Sequence, residues 1–167
     1  MVGRGWTRSI LRASRACDTW VPGPSTSPLG AMDTLKVRAL ITANAAEVQR
    51  LHKRIHETMR HRYKSPEQTE RWETACKEFH SRYDQLAFPG GYSSAVARVT
   101  SGDTEAVEAA LCFVELRPYF FRSGYLFKQL LPKLKRADLS SSQKARLERV
   151  VSAYATWRAK KRSDHGS

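Results

Sequence analysis

The stretch beginning at Ser65 constrains this chain more than any other. Ser65-Pro66-Glu67-Gln68 supplies a capping hydroxyl, a proline at the first helical position and an N3 side chain able to reach back. Behind it Trp72, Cys76, Phe79, Tyr83 and Leu86 advance in alternating steps of four and three, which lays them along one face of a helix. The stripe ends at Phe88-Pro89-Gly90-Gly91, a turn-forming segment. No period-two run of β-branched residues occurs anywhere in the chain, so strands have no competing signal.

The remaining apolar segments follow the same period. Asn44-Ala45-Ala46-Glu47 reads as an N-cap with its reciprocal acid, followed by Val48, Leu51, Ile55 and Met59 at helical spacing. This predicts a first helix over about 45–63, with an earlier turn from residue 33 as the alternative start. The short link to Pro66 makes the first two helices an antiparallel hairpin. Residues 92–102 are expected as a loop or a short helical turn around Ala95 to Val99. Asp103 then caps a third helix with Val107, Ala110, Leu111 and Val114 inside, and Pro118 breaks it at Arg117. Ser123 is the expected cap of a fourth helix to about Arg136, kinked or split near Lys128 by Pro132. Ser140-Ser141-Ser142-Gln143 is a capping box for a fifth, with Leu147, Val150, Val151, Tyr154 and Trp157 inward, to about Lys161. The expected fold class is all-α: a compact bundle of about five helices built from helical hairpins, without a sheet. Solenoid-like stacking is the alternative, but the helix starts share no constant period.

At 167 residues the chain suits one domain, placed at residues 32–162 with a disordered tail over 163–167. Residues 1–31 stand apart, with Arg4, Arg8, Arg12 and Arg15 against the single acid Asp18, and then a stretch rich in Pro, Gly and Ser. They read as a disordered or non-native extension ahead of Met32, or else as an organelle-targeting segment. No apolar run approaches the roughly 20 residues that span a bilayer. Cys17, Cys76 and Cys112 are odd in number and widely spaced, unlike a secreted disulfide framework, so a cytoplasmic location is expected.

Charge divides the chain. Residues 32–116 balance twelve Lys or Arg against twelve acids, whereas Arg117 to Arg162 carries thirteen against only Asp138 and Glu148. Segregated charge of this kind makes a local positive field that concentrates polyanions. The candidate nucleic-acid-binding residues are Arg117, Arg122, Lys128, Lys135, Arg146, Arg149, Lys160, Lys161 and Arg162. On the fifth helix Arg146, Arg149 and Lys160 are expected to form an arc opposite the Leu147, Val151 and Tyr154 face. Tyr119, Phe120, Phe121 and Tyr125 interleave with Arg117 and Arg122, a mixture suited to single strands, where cations track the backbone and rings stack on bases. The competing reading makes these rings a core plug covered by the arginines through cation–π contact. A helix-turn-helix placing Lys144, Arg146 and Arg149 in a major groove is disfavoured by Pro132 and by the absence of a glycine in the turn.

His52 and His56, with Cys76 and His80, fall on one flank of the hairpin and could converge on zinc. No Cys-x-x-Cys or His-Glu-x-x-His motif accompanies them, and a buried thiol beside half-exposed histidines is the commoner arrangement. Ser123 has no base or acid positioned by sequence to activate it. The expectation is thus a non-enzymatic, soluble binding protein with no cofactor, no metal and no catalytic residue. Its partner is nucleic acid or another polyanion, or alternatively an acidic protein docked on the hairpin or the aromatic corner.

Overall fold

The computed structural model describes residues 33–163, so the expectations for residues 1–31 and for the last four residues fall outside the described residues. Six helices follow in order: α1 (Thr34–Met59), α2 (Pro66–Ala87), α3 (Tyr92–Thr100), α4 (Thr104–Leu116), α5 (Ser123–Leu134) and α6 (Ser141–Ser163). Among the described residues there is no strand, and the fold is an all-α bundle. None of these helices is long and apolar enough to cross a membrane.

The centre is α4, in which Ala106, Val107 and every residue from Ala109 to Val114 are buried. Around it pack α1, α3, α5 and α6, while α1 and α2 form the most extensive helix pair. Leu51, Phe88, Phe113, Leu126 and Leu130 fill the core that these helices share. At about 25 cal/mol per Å² of apolar surface, each such side chain contributes roughly 1.5–3 kcal/mol on burial.

Four expectations are corrected. The Asn44–Glu47 segment is helix interior, because Val37 and Ile41 extend the buried stripe through Ala45, Val48 and Leu51. The cap is Asp33, whose carboxylate accepts from Leu35 N at 3.1 Å. Residues 92–100 form a full helix, α3, whose Ala95 and Val99 are buried. Its own first residues offer no side-chain cap; instead Asp84 of α2 accepts from Ser93 N at 2.8 Å. This tertiary cap satisfies an N–H that the local sequence leaves open. The turn before it requires Gly90 and Gly91, at φ 84° and 100°, conformations that carry little cost only without a Cβ.

Third, Ser123 is not a cap. Arg122 occupies that position with φ 64° and no capping side chain, while the buried Ser123 hydroxyl accepts from Phe120 N at 3.1 Å. Fourth, α5 runs unbroken through Pro132 to Leu134, so Lys128 marks no split. Other caps form where sequence places them. Ser65 accepts from Gln68 N, and Asp103 from Glu105 N and Ala106 N. The box at Ser140 closes in both directions, with Gln143 N donating to the Ser140 hydroxyl and Ser140 N donating to Gln143 Oε1.

Candidate functional site

The corner between α4 and α5 is bounded by two residues in the left-handed region, Arg117 (φ 46°) and Arg122 (φ 64°). Each costs roughly 1–2 kcal/mol relative to right-handed backbone. The corner is held from outside. Gln49 Nε2 donates to the Tyr119 carbonyl, and Tyr83 Oη donates to the Phe121 carbonyl at 2.8 Å. Burial, with Tyr92 nearby, pushes the Tyr83 phenol up to about 12, which preserves its donor proton at any physiological pH. His52 stacks on Phe121 with ring centroids 5.0 Å apart, and Phe120 packs edge-on against Phe113 at 6.1 Å.

Of the four corner rings only Phe120 is a core plug. Tyr119 is 86% exposed, and Phe121 and Tyr125 are also open to solvent. The arginines do lie over rings: Arg122 sits 5.2 Å from the Phe121 centroid. Arg117 is exposed to solvent yet lies over three rings, its guanidinium 5.0 Å from Phe127, 5.5 Å from Tyr154 and 5.3 Å from Trp157. Tyr154 and Trp157 themselves stack at 5.8 Å and 18°, and Trp157 remains 46% exposed. Between the corner, α5 and α6 lies a half-open cavity of about 340 Å³, with Arg117, Tyr119, Gly124, Phe127, Lys128 and Trp157 in its wall and no acid.

The expected cations separate into two groups. Arg117, Arg122, Lys128, Lys135, Arg149, Lys160, Lys161 and Arg162 are exposed, as the phosphate-facing reading requires. Lys128 stands at the cavity wall, and Lys135 stands at a second hollow of about 390 Å³ between α5 and α6, shared with Lys144. Lys161 reaches back over Trp157 at 5.5 Å. From Ala155 to Ser163 every residue of α6 is exposed, so the final turns carry their cations clear of the bundle.

Arg146 does not join them, which corrects its place in the basic arc. Its Nη1 donates to Glu108 at 2.7 Å, and its Nε and Nη2 donate to Glu115 at 2.9 and 2.8 Å, leaving the side chain 17% exposed. Helical geometry gives the reason. At about 100° per residue Arg146 lies only some 80° from Tyr154, on the flank facing α4 rather than opposite the apolar face. The cluster extends to Arg38, which donates to Glu115 at 2.9 Å, and to Thr34 and Gln143, which donate to Glu108. Burial raises the Glu108 carboxyl but hydrogen bonds from Gln143, Arg146 and Thr34 outweigh it, and the net shift is downward. Glu115 is lowered chiefly by the Arg146 hydrogen bond. An arginine so engaged cannot enter a DNA groove, which removes the helix-turn-helix arrangement built on it.

The four candidate metal ligands do not converge. His52 packs against Phe79 and Phe121, His80 lies edge-on to Phe79 and exposed, and Cys76 is half-buried. Among the described residues no three His, Cys, Asp or Glu are placed to hold a metal ion. His52 meets Phe79, nearly one turn beyond Cys76 on α2.

No known protein family, no curated protein and no solved structure matches this chain. Function therefore has to be argued from the site itself. Sequence reasoning overlooked the acids that hold Arg146, although Glu108 and Glu115 stand seven residues apart, the two acids beyond the first turn of α4, and so mark one polar stripe. It also treated Tyr154 and Trp157 as core positions. Their i,i+3 spacing beside Arg158, Lys160 and Lys161 was the available sign of a stacked pair at a basic helix end.

Proposed function

We propose that this protein is a non-enzymatic binder of single-stranded nucleic acid, acting through the face made by the α4–α5 corner, the outer side of α5 and the free end of α6. The observation that carries this reading is the stacked Tyr154–Trp157 pair, half open to solvent, set beside Arg117 and Lys128 and continued by Arg158, Lys160, Lys161 and Arg162. Unpaired bases stack on exposed rings whatever their identity, and spaced cations follow the phosphates. A duplex hides its base faces, so exposed rings favour a single strand.

The candidate nucleophiles support a binding role over a catalytic one. Burial pushes the Cys112 thiol up to about 11, and Ser123 uses its hydroxyl oxygen on Phe120 N. Neither is poised for attack.

The test is binding of the full chain to labelled single strands and duplexes of DNA and RNA across a salt series. Single strands are expected to bind more tightly, with a steep log–log dependence on salt. Replacing Lys160, Lys161 and Arg162 by Glu is expected to reduce the slope by about 2, from roughly 0.7 per phosphate contact. Weak binding at low salt alone, indifferent to those replacements, rejects the reading and directs attention to an acidic protein partner.

A further inference from the structure

Gly124 is unexplained by the chain's own packing. It is the second residue of α5, its φ lies outside the left-handed range, and a Cβ built on it would meet nothing within 4 Å. Neither backbone conformation nor a close neighbour calls for glycine there. Alanine in a helix interior is more favourable than glycine by about 1 kcal/mol, and part of that preference applies in the first turn. Gly124 is also part of the wall of the 340 Å³ cavity. A glycine on a cavity wall lets a ligand approach the backbone more closely than any side chain allows.

The rest of the wall defines what would fit. Tyr119 and Trp157 offer exposed ring surface, and Phe113, Phe120 and Phe127 lie buried behind them. Arg117 and Lys128 supply positive charge, and among the described residues neither has a carboxylate partner. Placed over its rings, the Arg117 guanidinium makes no side-chain hydrogen bond to the described chain, so its donors remain open at the cavity side. Ser123 accepts from Phe120 N and keeps its own hydroxyl proton to donate. The volume is at the low end of the roughly 300–1,000 Å³ of small-ligand sites, which suits one base with its sugar and excludes a longer segment.

We infer that this cavity seats one unstacked nucleobase of a bound single strand, with the base against Gly124, Tyr119 and Trp157 and its phosphate held by Arg117 and Lys128. The inference rests on the single-strand reading and assigns it a defined subsite. The exposed end of α6 supplies sequence-independent contact to the backbone, and the cavity supplies the contact that requires a base.

The test uses the full chain, a labelled oligothymidine and an abasic strand of equal length and charge. Wild type is expected to favour the base-bearing strand by about tenfold, the value of one stacked base. Gly124→Leu fills the cavity from a position with free space. It is expected to fold with an unchanged or higher Tm, to lose most of the preference for bases, and to keep the salt slope. Gly124→Ala, which leaves most of the volume open, is expected to retain most of the preference. If folded Gly124→Leu keeps the full tenfold preference, the subsite is overturned while single-strand binding stands. If wild type shows no salt-dependent binding to either strand, the single-strand reading itself is lost. A final arm uses thymidine 5′-monophosphate. Displacement of the labelled strand only at millimolar concentration supports a seat for a strand, whereas micromolar binding of the nucleotide, abolished by Gly124→Leu, would reassign the cavity to a free nucleotide.

Discussion

The α1–α2 hairpin and the end of α6 use the same charged residue types to opposite effect. Along the hairpin seam Glu47 accepts from Arg50 at 2.7 Å and pairs with Arg82 at 2.7 Å, while Glu78 pairs with Arg54 and Arg82. Arg50, Arg54 and Arg82 each have an acid within reach across or along the helices. On α6 the cations from Arg149 onward find no carboxylate among the described residues; the Arg158 and Lys161 charges lie over Tyr154 and Trp157, and all five residues are exposed. A cation whose partner lies in the same fold is part of the scaffold. One without a partner leaves its field free for a ligand. Arg146 marks the boundary, since it belongs to the basic segment by sequence and to the scaffold by structure.

The largest expected effect tests that boundary. Arg146→Ala leaves Glu108 and Glu115 half-buried without their principal donor, and stability in urea denaturation is expected to fall by about 3 kcal/mol. Its strand affinity should be unchanged under conditions where the variant remains folded. The reverse result, weaker binding at wild-type stability, would move Arg146 to the ligand-facing group. Next is Trp157→Ala, expected to weaken single-strand binding about tenfold. Because Trp157 is half-exposed near the free end of α6, thermal melting should shift little. A large loss of stability with intact affinity would make the stacked pair structural.

Asp103→Ala probes a charge that is both cap and partner. Its Oδ1 accepts from Glu105 N and Ala106 N, its Oδ2 from Arg98 at 2.8 Å, and its loss is expected to cost about 1–2 kcal/mol by denaturant titration. The smallest effect is the acid limb of the stability curve. Hydrogen bonds from Arg50, then Arg82, hold the Glu47 carboxyl down at about 2. Since the folded carboxyl binds its proton less readily than the unfolded one, its contribution is complete above the ordinary carboxylate range and is lost as pH falls toward about 2. Glu47→Gln should flatten that limb in melts taken from neutral to acid pH, and salt should flatten it too, because the pairs are solvent-accessible.

Much of the fold was legible because helices announce themselves locally. The Ser65 cap, the Ser140 box, the Asp103 cap and the break at Arg117 all lie within four residues of the groups they satisfy. The α3 helix was not legible as such, since Asp84 caps it from the preceding helix and Arg98 braces it through Asp103 and the Pro89 carbonyl. The start of α1 was misplaced because Asn44 and Glu47 match a capping pattern that burial of Val37 and Ile41 overrides. At the candidate site the cations were visible as a segment. Which of them face solvent depends on where α6 lies against α4, and no residue count supplies that.

By itself the sequence determined an all-α chain, the hairpin of α1 and α2, and a basic C-terminal segment. These follow from period, caps and composition, all of which act over short distances along the chain. The tertiary structure alone decided that Arg146 is held by Glu108 and Glu115, that Arg117 lies over Phe127, Tyr154 and Trp157, and that Gly124 is part of a cavity wall. The two arginines lie 10 to 40 residues from these partners in sequence. Only the packing of α4, α5 and α6 brings them within hydrogen-bonding or stacking distance, and both interactions vanish within a few ångströms of contact.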